Sequence, residues 1–548
     1  MRAKTIMVQG TASDVGKSVV CAALCRLLQR KGFRVAPFKA QNMSNNSFVT
    51  AQGGEIGRAQ AVQAVASCVE PSTLMNPILL KPNTDRTSQV IVLGKVFDTL
   101  TTENYYHKQA LFTEYVRQAL DQLRQDYDII VIEGAGSPAE INIKHKDIVN
   151  MSVAKSVSSP VILVGDIDKG GIFAQIIGTF DLLEDEERKL IKAFLINKFR
   201  GDKEILMPGV KWIENRIQRK SFGVLPMIPD LDIEQEDSVV LTKTKNSRHR
   251  ISRYLSGDGD GTQKLLIHVF RLPRISNFTD FDHLKIEKDV HLDFVDCPHR
   301  NVIPDLLIIP GTKSTIDDLG FLKKVGFVSY IHRCLKAGSS LLGICGGYQM
   351  LGQTIEDPYR AESAIKVTNG LHLLPMKTVF SKEKTTDQVK AIHLESQLPI
   401  EGYEIHMGQT YHSGKVRPLF KITERAGRSV KGYDGLVSNI HNQGGSIFGT
   451  YLHGLFEKNH FRRHFINKIR VSSGLSKIEA TAQGHRSHEP SVYDRLADEF
   501  ERHMEEVYAQ MLSRAKTLET RAEGFNKQAS RLRREAERFK PLPKVEDK

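Results

Sequence analysis

Along the first 235 residues, short apolar runs alternate with longer stretches of helical character. The runs Thr5–Val8, Val35–Phe38, Ile129–Ile132, Val161–Val164 and Phe194–Ile196 have strand length, and strands separated by helices predict a parallel sheet covered by helices. The pattern breaks at residues 236–263. There Lys243-Thr244-Lys245-Asn246-Ser247-Arg248-His249-Arg250 and Ser256-Gly257-Asp258-Gly259-Asp260-Gly261 are polar, charged and glycine-rich, as in a linker. A second α/β block opens near Leu265, with strands expected at Leu265–Phe270, Leu306–Ile309, Ser340–Ile344 and Ser446–Tyr451, and closes near residue 470. Beyond it, Leu496, Phe500, Met504, Val507 and Met511 recur at spacings of three and four, which predicts an amphipathic helix. Residues 514–548 are rich in Arg, Lys, Glu and Ala and read as a solvated helix or tail. The expected division is a domain over 1–235, a linker over 236–263, a second domain over 264–470, and a helical segment with a basic tail over 471–548.

Composition changes this picture little. A chain of 548 residues accommodates two or three domains, and 40% apolar and 26% charged residues are ordinary for a globular protein. No apolar run has the length of a membrane span. The first apolar run feeds a glycine loop instead of a cleavage site, so the cytoplasm is the expected compartment. The six cysteines form no CxxC pair and no disulfide-like framework; Cys21 and Cys25, one helical turn apart, read as packing residues. The net charge of +13 raises the question of nucleic acid. With one Trp and no aromatic–basic interleaving, that reading is set aside, and a positive surface equally suits an anionic, multi-carboxylate substrate.

The first candidate site follows the first strand. Gly10-Thr11-Ala12-Ser13-Asp14-Val15-Gly16-Lys17-Ser18 lies between a strand and an apolar helix. Backbone N–H groups of such a loop point at phosphate oxygens. Lys17 would neutralise the β- and γ-phosphates, and the Ser18 hydroxyl would take a Mg²⁺ position. The leading glycine stands one residue further from Gly16-Lys17-Ser18 than the strict P-loop pattern requires. Glu133, at the end of an apolar strand, is expected beside the loop as a second Mg²⁺ ligand. Asn197 closes another strand and could read the base. Glu55 is a third Mg²⁺ candidate, with a solvated carboxylate as the alternative. Asp147 could assist at an acyl-phosphate site or serve as a structural cap.

The second candidate site is Gly343-Ile344-Cys345-Gly346-Gly347, between an apolar strand and a helix start. This spacing puts a sulfur on a sharp elbow whose small neighbours permit strained backbone and close approach of substrate. His453, after the strand near residue 450, supplies a base. Backbone N–H groups at Gly311 and Gly346 could stabilise an oxyanion. His406 could orient substrate or only satisfy local hydrogen bonds.

The loop, together with Pro37-Phe38-Lys39 and Glu133-Gly134-Ala135-Gly136, resembles the dethiobiotin synthetase-like ATP-dependent carboxylate-activating enzymes. That resemblance implies an acyl phosphate, and implies that Lys39 binds the γ-phosphate or the carboxylate. The cysteine elbow, Pro310-Gly311-Thr312-Lys313 and the strand-end histidine resemble a class I glutamine amidotransferase domain, implying a flavodoxin-like fold. Most of that class places a Glu two residues after the histidine. Here Leu455 stands there and Glu457 lies too far along, so a Cys–His dyad remains, as in the cobyrinate-type branch. Phe38-Lys39-Ala40-Gln41-Asn42-Met43-Ser44-Asn45-Asn46-Ser47, Arg274-Ile275-Ser276-Asn277-Phe278-Thr279-Asp280-Phe281-Asp282 and Gly402-Tyr403-Glu404-Ile405-His406-Met407-Gly408 are similar to the corrinoid-amidating members of that branch, over roughly residues 4–510. The resemblance implies glutamine- and ATP-dependent amidation of the b, d, e and g carboxylates of adenosylcobyrinic acid a,c-diamide, with Mg²⁺. A corrinoid is then the expected partner, without nucleic acid or membrane span, and a homo-oligomer is compatible with it. The competing readings are another glutamine-dependent carboxylate amidase and a MinD-like ATPase switch.

Overall fold

The computed structural model describes residues 2–84, 86–229, 231, 233–234, 263–439, 445–479 and 491–504. Nearly all of the expected linker, and the tail beyond residue 504 with Val507 and Met511, lie outside the described residues.

The first domain is built on a six-stranded, wholly parallel sheet. Its order is Lys220–Pro226, Ile191–Phe199, Val161–Asp166, Lys4–Gly10, Ile129–Glu133, Val35–Phe38. Every strand expected from the pattern is present, and most extend a few residues further. Side chains alternate between two cores: Met7, Ile130 and Leu163 pack on one face, and Ile6, Val8 and Val131 on the other. Burial on both faces explains why these strands read as continuous apolar runs. Helix Lys17–Arg30 buries Cys21, Leu24 and Cys25 against the second core. Both cysteines are fully buried, in agreement with a packing role; burial pushes the Cys25 thiol up to about 12.

Residues 41–101 add a small sheet, Gln41–Met43, Ile78–Pro82, Thr87–Val92 and Lys95–Thr101, and a two-stranded ribbon, Ser47–Val49 with Glu55–Gly57. This insertion faces the second domain. Gln388 Nε2 donates to the Val49 carbonyl at 2.8 Å, Ser314 Oγ to the Asn83 carbonyl at 3.1 Å, and the Ser47 N–H to Asn277 Oδ1 at 3.1 Å.

The second domain has an eleven-stranded sheet. Its parallel half runs Val290–Val295, Leu265–Phe270, Leu306–Ile309, Ser340–Ile344, Ser446–Thr450. The other half includes a long antiparallel hairpin, Met376–His393 and Pro399–His412. The hairpin departs from the sequence reading because Ser381-Lys382-Glu383-Lys384-Thr385-Thr386 has no apolar alternation.

Helix Val492–Arg502 returns to the first domain. Leu496, Ala497 and Phe500 enter the core beneath the phosphate-loop helix, and Arg26 forks onto Asp494 at 2.7 and 2.9 Å. The amphipathic pattern thus has a defined partner. Phe500 is 1% exposed, so Phe500→Ala should cost about 3–5 kcal/mol through lost burial and a residual cavity. Denaturant unfolding of the full chain checks this; a change below about 1 kcal/mol would mean that the helix is only loosely docked.

Candidate active site

Strand Lys4–Gly10 pairs in register with Ile129–Glu133, bringing Glu133 level with Val8, just before the loop. Gly16 has φ +99°, and a Cβ there would collide with the Asn197 amide, so this turn requires glycine. Lys17 Nζ folds over the loop and donates to the carbonyls of Ala12 and Gly136 at 2.9 and 3.0 Å. Burial lowers its pKa, an effect that Glu133 opposes. Ser18 Oγ and Lys39 Nζ both donate to Glu133 Oε1, at 2.8 and 2.9 Å, while Gln63 donates to Oε2 at 2.5 Å. Burial resists the charge on Glu133, but Lys39, with Gln63 and Ser18, holds the carboxyl below its usual value.

Ser18, Lys17, Lys39 and Glu133 are therefore one cluster at the loop. Their chemistry fits a nucleotide phosphate with its cation: two ammoniums for phosphate oxygens, and a hydroxyl and a carboxylate for the metal. Thr11 N–H is tied to the Val164 carbonyl at 2.9 Å, and Gly10 and Asp14 shape the turn, Asp14 at φ +59°. Asn197 Nδ2 donates to the Val15 carbonyl at 2.8 Å, which makes it a brace for the loop in this state.

Two candidates sit elsewhere. Glu55 does not join Ser18 and Glu133; its oxygens are taken by Lys81 Nζ, at 2.5 Å, and by Lys384 Nζ from the second domain. It is buried, not solvated, and the two lysines hold it near pKa 2 against the effect of burial. Asp147 accepts the N–H groups of Val149, Asn150 and Ser152 at 2.8–2.9 Å, the arrangement of a structural cap.

In the second domain, Cys345 has φ +51° and ψ −109° between strand Ser340–Ile344 and the turn of helix Gly346–Met350. A Cβ on Gly347 would collide with the Ile309 carbonyl, so the elbow forms only with a glycine there. Gly346 packs on Thr312, and a Cβ on Gly311 would stand 3.0 Å from His453 Cε1. The cysteine, the histidine and both expected oxyanion donors thus lie together.

His453 is completely buried, and its Nδ1 is 2.7 Å from Asp280 Oδ2. Asp280 Oδ1 also accepts the Gly454 N–H at 2.9 Å. This carboxylate fills the orienting role left open by Leu455, from a segment 173 residues upstream. The sequence reading missed it: the segment was noted for resemblance, but no spacing rule links it to His453. Burial disfavours charge on the ring, yet Asp280, helped by Cys345, raises His453 to about 10. Among the described residues Nε2 has no hydrogen-bond partner. His406 stacks on Tyr451 with ring centres 3.9 Å apart, and its Nδ1 contacts the Gly408 carbonyl at 2.8 Å; burial lowers it to about 4.

Cys345 opens into a cavity of about 40 Å³ whose wall includes Lys81 and Gln89 of the first domain and Lys313, Gln349, Glu362 and Lys384 of the second. None of these six was singled out from sequence.

Comparison with known proteins agrees with this geometry. Residues 6–240 match the family described as the CobQ/CobB/MinD/ParA nucleotide binding domain, and residues 266–461 match the CobB/CobQ-like glutamine amidotransferase domain. The chain is 46% identical over 493 residues to a cobyric acid synthase of Clostridium acetobutylicum, covering 90% of this chain and 95% of that protein. The chain belongs to the cobyric acid synthase family. Family members of the same name from Thermoanaerobacter sp. and Dehalococcoides mccartyi are also 46% identical, over 90% and 92% of this chain and 95% and 98% of theirs. As a cobyric acid synthase family member, the chain is a glutamine-dependent amidotransferase of the ligase class. Among the described residues no helix is long and apolar enough to cross a membrane.

Asp280→Asn should lower glutaminase kcat by about 10²–10⁴-fold, because the wrong imidazole tautomer is favoured. Loss below about tenfold would remove Asp280 from the catalytic unit. The raised pKa of His453 also fixes a stability effect. Stabilisation by the pair is complete below the ordinary histidine value of 6.5 and is lost as pH rises through about 10. Asp280→Asn should flatten that alkaline decline in unfolding free energy.

Proposed function

We propose that the protein converts adenosylcobyrinic acid a,c-diamide to adenosylcobyric acid by amidating its b, d, e and g carboxylates, using glutamine for nitrogen and ATP for activation. The observation that supports this most strongly is a cavity containing Cys345 whose wall is completed by the nucleotide domain. A glutaminase acting for itself would not need that wall.

The chemistry divides between the sites. Cys345 Sγ attacks the glutamine amide carbon. Gly311 and Gly346 N–H groups stabilise the oxyanion, and His453 gives its proton to the departing ammonia. Water then cleaves the thioester to glutamate, with His453 taking the water proton. At the other site the acceptor carboxylate displaces ADP from the γ-phosphoryl of ATP. Lys17 and Lys39 neutralise the transferring group, and Ser18 and Glu133 would hold Mg²⁺, which would offset phosphate charge. Ammonia attacks the acyl phosphate, phosphate leaves, and the attacking nitrogen loses a proton. Asn197 is assigned to the base side of the nucleotide, and the loop residues Gly10 to Gly16 to the phosphates.

A MinD-like switch would share the phosphate loop but has no use for a cysteine elbow beside a hydrogen-bonded His453–Asp280 pair. A relative acting on another polyacid differs only in acceptor. Mass spectrometry of the acceptor after incubation with ATP, Mg²⁺ and glutamine separates these readings. Four successive exchanges of hydroxyl for amino are expected. Unchanged acceptor with glutamine consumed would discard the corrinoid, and absence of glutamine hydrolysis would discard the amidotransferase. Cys345→Ser should abolish synthesis from glutamine but keep synthesis from ammonium chloride. Lys17→Ala should abolish both; retention of either by Lys17→Ala would contradict the assigned phosphate site.

A further inference from the structure

Asp280 fixes one nitrogen of His453, but a single hydrogen bond leaves an imidazole free to swing about it. A second contact settles the plane of the ring. Tyr403 lies face to face with His453, with ring centres 5.2 Å apart and planes 16° from parallel. Tyr403 is buried, at 4% exposure. The two backbones are paired as well: the Tyr403 N–H donates to the His453 carbonyl at 3.2 Å, and the His453 N–H to the Tyr403 carbonyl at 2.9 Å. Two residues further along strand Pro399–His412, the Ile405 carbonyl lies 3.5 Å from Cys345 Sγ. A three-residue stretch of the long hairpin therefore touches both members of the Cys–His pair.

The first domain backs this stretch. Tyr403 and Ile405 share a face of their strand and pack in one apolar cluster with Val49, of strand Ser47–Val49. The Phe48 ring centre stands 6.3 Å from that of Tyr403, and the Arg58 guanidinium 5.5 Å from the Phe48 ring centre. Arg58 is itself fixed, because it is buried and donates to both oxygens of Glu234 at 2.5 and 2.7 Å.

We propose that Tyr403 is a positioning residue for His453, and that Phe48, Val49 and Arg58 of the nucleotide domain hold it in place, so that the glutamine-hydrolysing centre is completed by the neighbouring domain. This rests on the reading of Cys345 and His453 as the pair that hydrolyses glutamine. With Nδ1 held by Asp280 and one ring face held by Tyr403, the direction of Nε2 is set by the fold and not by the substrate. An acid–base group displaced by roughly 1 Å loses about 10²-fold in rate at the chemical step. Binding of glutamine does not draw on the plane of the imidazole, so the loss falls on kcat and spares KM.

The test measures glutamate released from glutamine by the full-length protein, with adenosylcobyrinic acid a,c-diamide, ATP and Mg²⁺ present. It compares wild type with Tyr403→Leu, Tyr403→Phe and Phe48→Leu. Tyr403→Leu should lower kcat by about 30- to 100-fold with KM for glutamine within about threefold of wild type. Tyr403→Phe keeps the ring and should stay within about threefold of wild type in kcat. Phe48→Leu, altered only in the first domain, should lower kcat by about 3- to 10-fold, again with KM little changed. A Tyr403→Phe loss as large as that of Tyr403→Leu would mean that the hydroxyl, not the stack, is what matters, and would overturn the proposal. So would a raised KM at unchanged kcat, or a Phe48→Leu variant that folds and keeps the wild-type kcat. Cys345→Ser retaining glutamate release would instead remove the assignment of the pair beneath it.

Discussion

A charge taken out of water must meet an opposite charge, and both reaction centres of this protein are organised by that requirement. Glu133 is buried at a strand end and holds Lys39 and the Ser18 hydroxyl in place. Asp280 is buried beneath the cysteine elbow and holds His453. Neither carboxylate could be placed in an apolar interior without its partner, so the fold that buries them also fixes the groups that do chemistry. Glu55 repeats the arrangement at the boundary, with one lysine from each domain.

The domains answer to different constraints. In the first, a parallel sheet buried on both faces presents its strand ends to one loop, and Glu133 arrives beside Ser18 through register alone. In the second, the elbow depends on close approach of backbone to backbone, which is why Gly347 sits against Ile309. The 41–101 insertion lies outside the first domain's central sheet, and the long hairpin extends the antiparallel half of the second domain's sheet. They form the surfaces through which the domains meet, and through them the cysteine cavity acquires walls from both halves of the chain.

What could be read from the sequence was what is local. Lys17, Ser18 and Cys345 lie within a few residues of the strand and helix that position them, so spacing and residue type were enough. Glu133 and His453 needed only the further rule that strand ends converge on one edge. Asp280 could not be found in this way, since its partner lies 173 residues away, and Lys384 reaches Glu55 across 329. The lysine partners of Glu55 were hidden for the same reason, since neither Lys81 nor Lys384 is near it in sequence. Asp147 resolved to the cap that its short polar surroundings also allowed. The hairpin escaped notice because residues 381–386, in the middle of its first strand, are polar and charged and lack the alternation present at its two ends.

If the two sites work as one enzyme, nitrogen released at Cys345 reaches the acyl phosphate without entering solvent. The most direct measurement supplies glutamine labelled with heavy nitrogen at the amide, together with an excess of unlabelled ammonium chloride, and reads the isotope in the newly formed amides. The account predicts amides carrying the glutamine label almost undiluted at saturating glutamine. Amides whose label follows the composition of the ammonium pool would contradict it, and would reduce the two sites to neighbours sharing a chain.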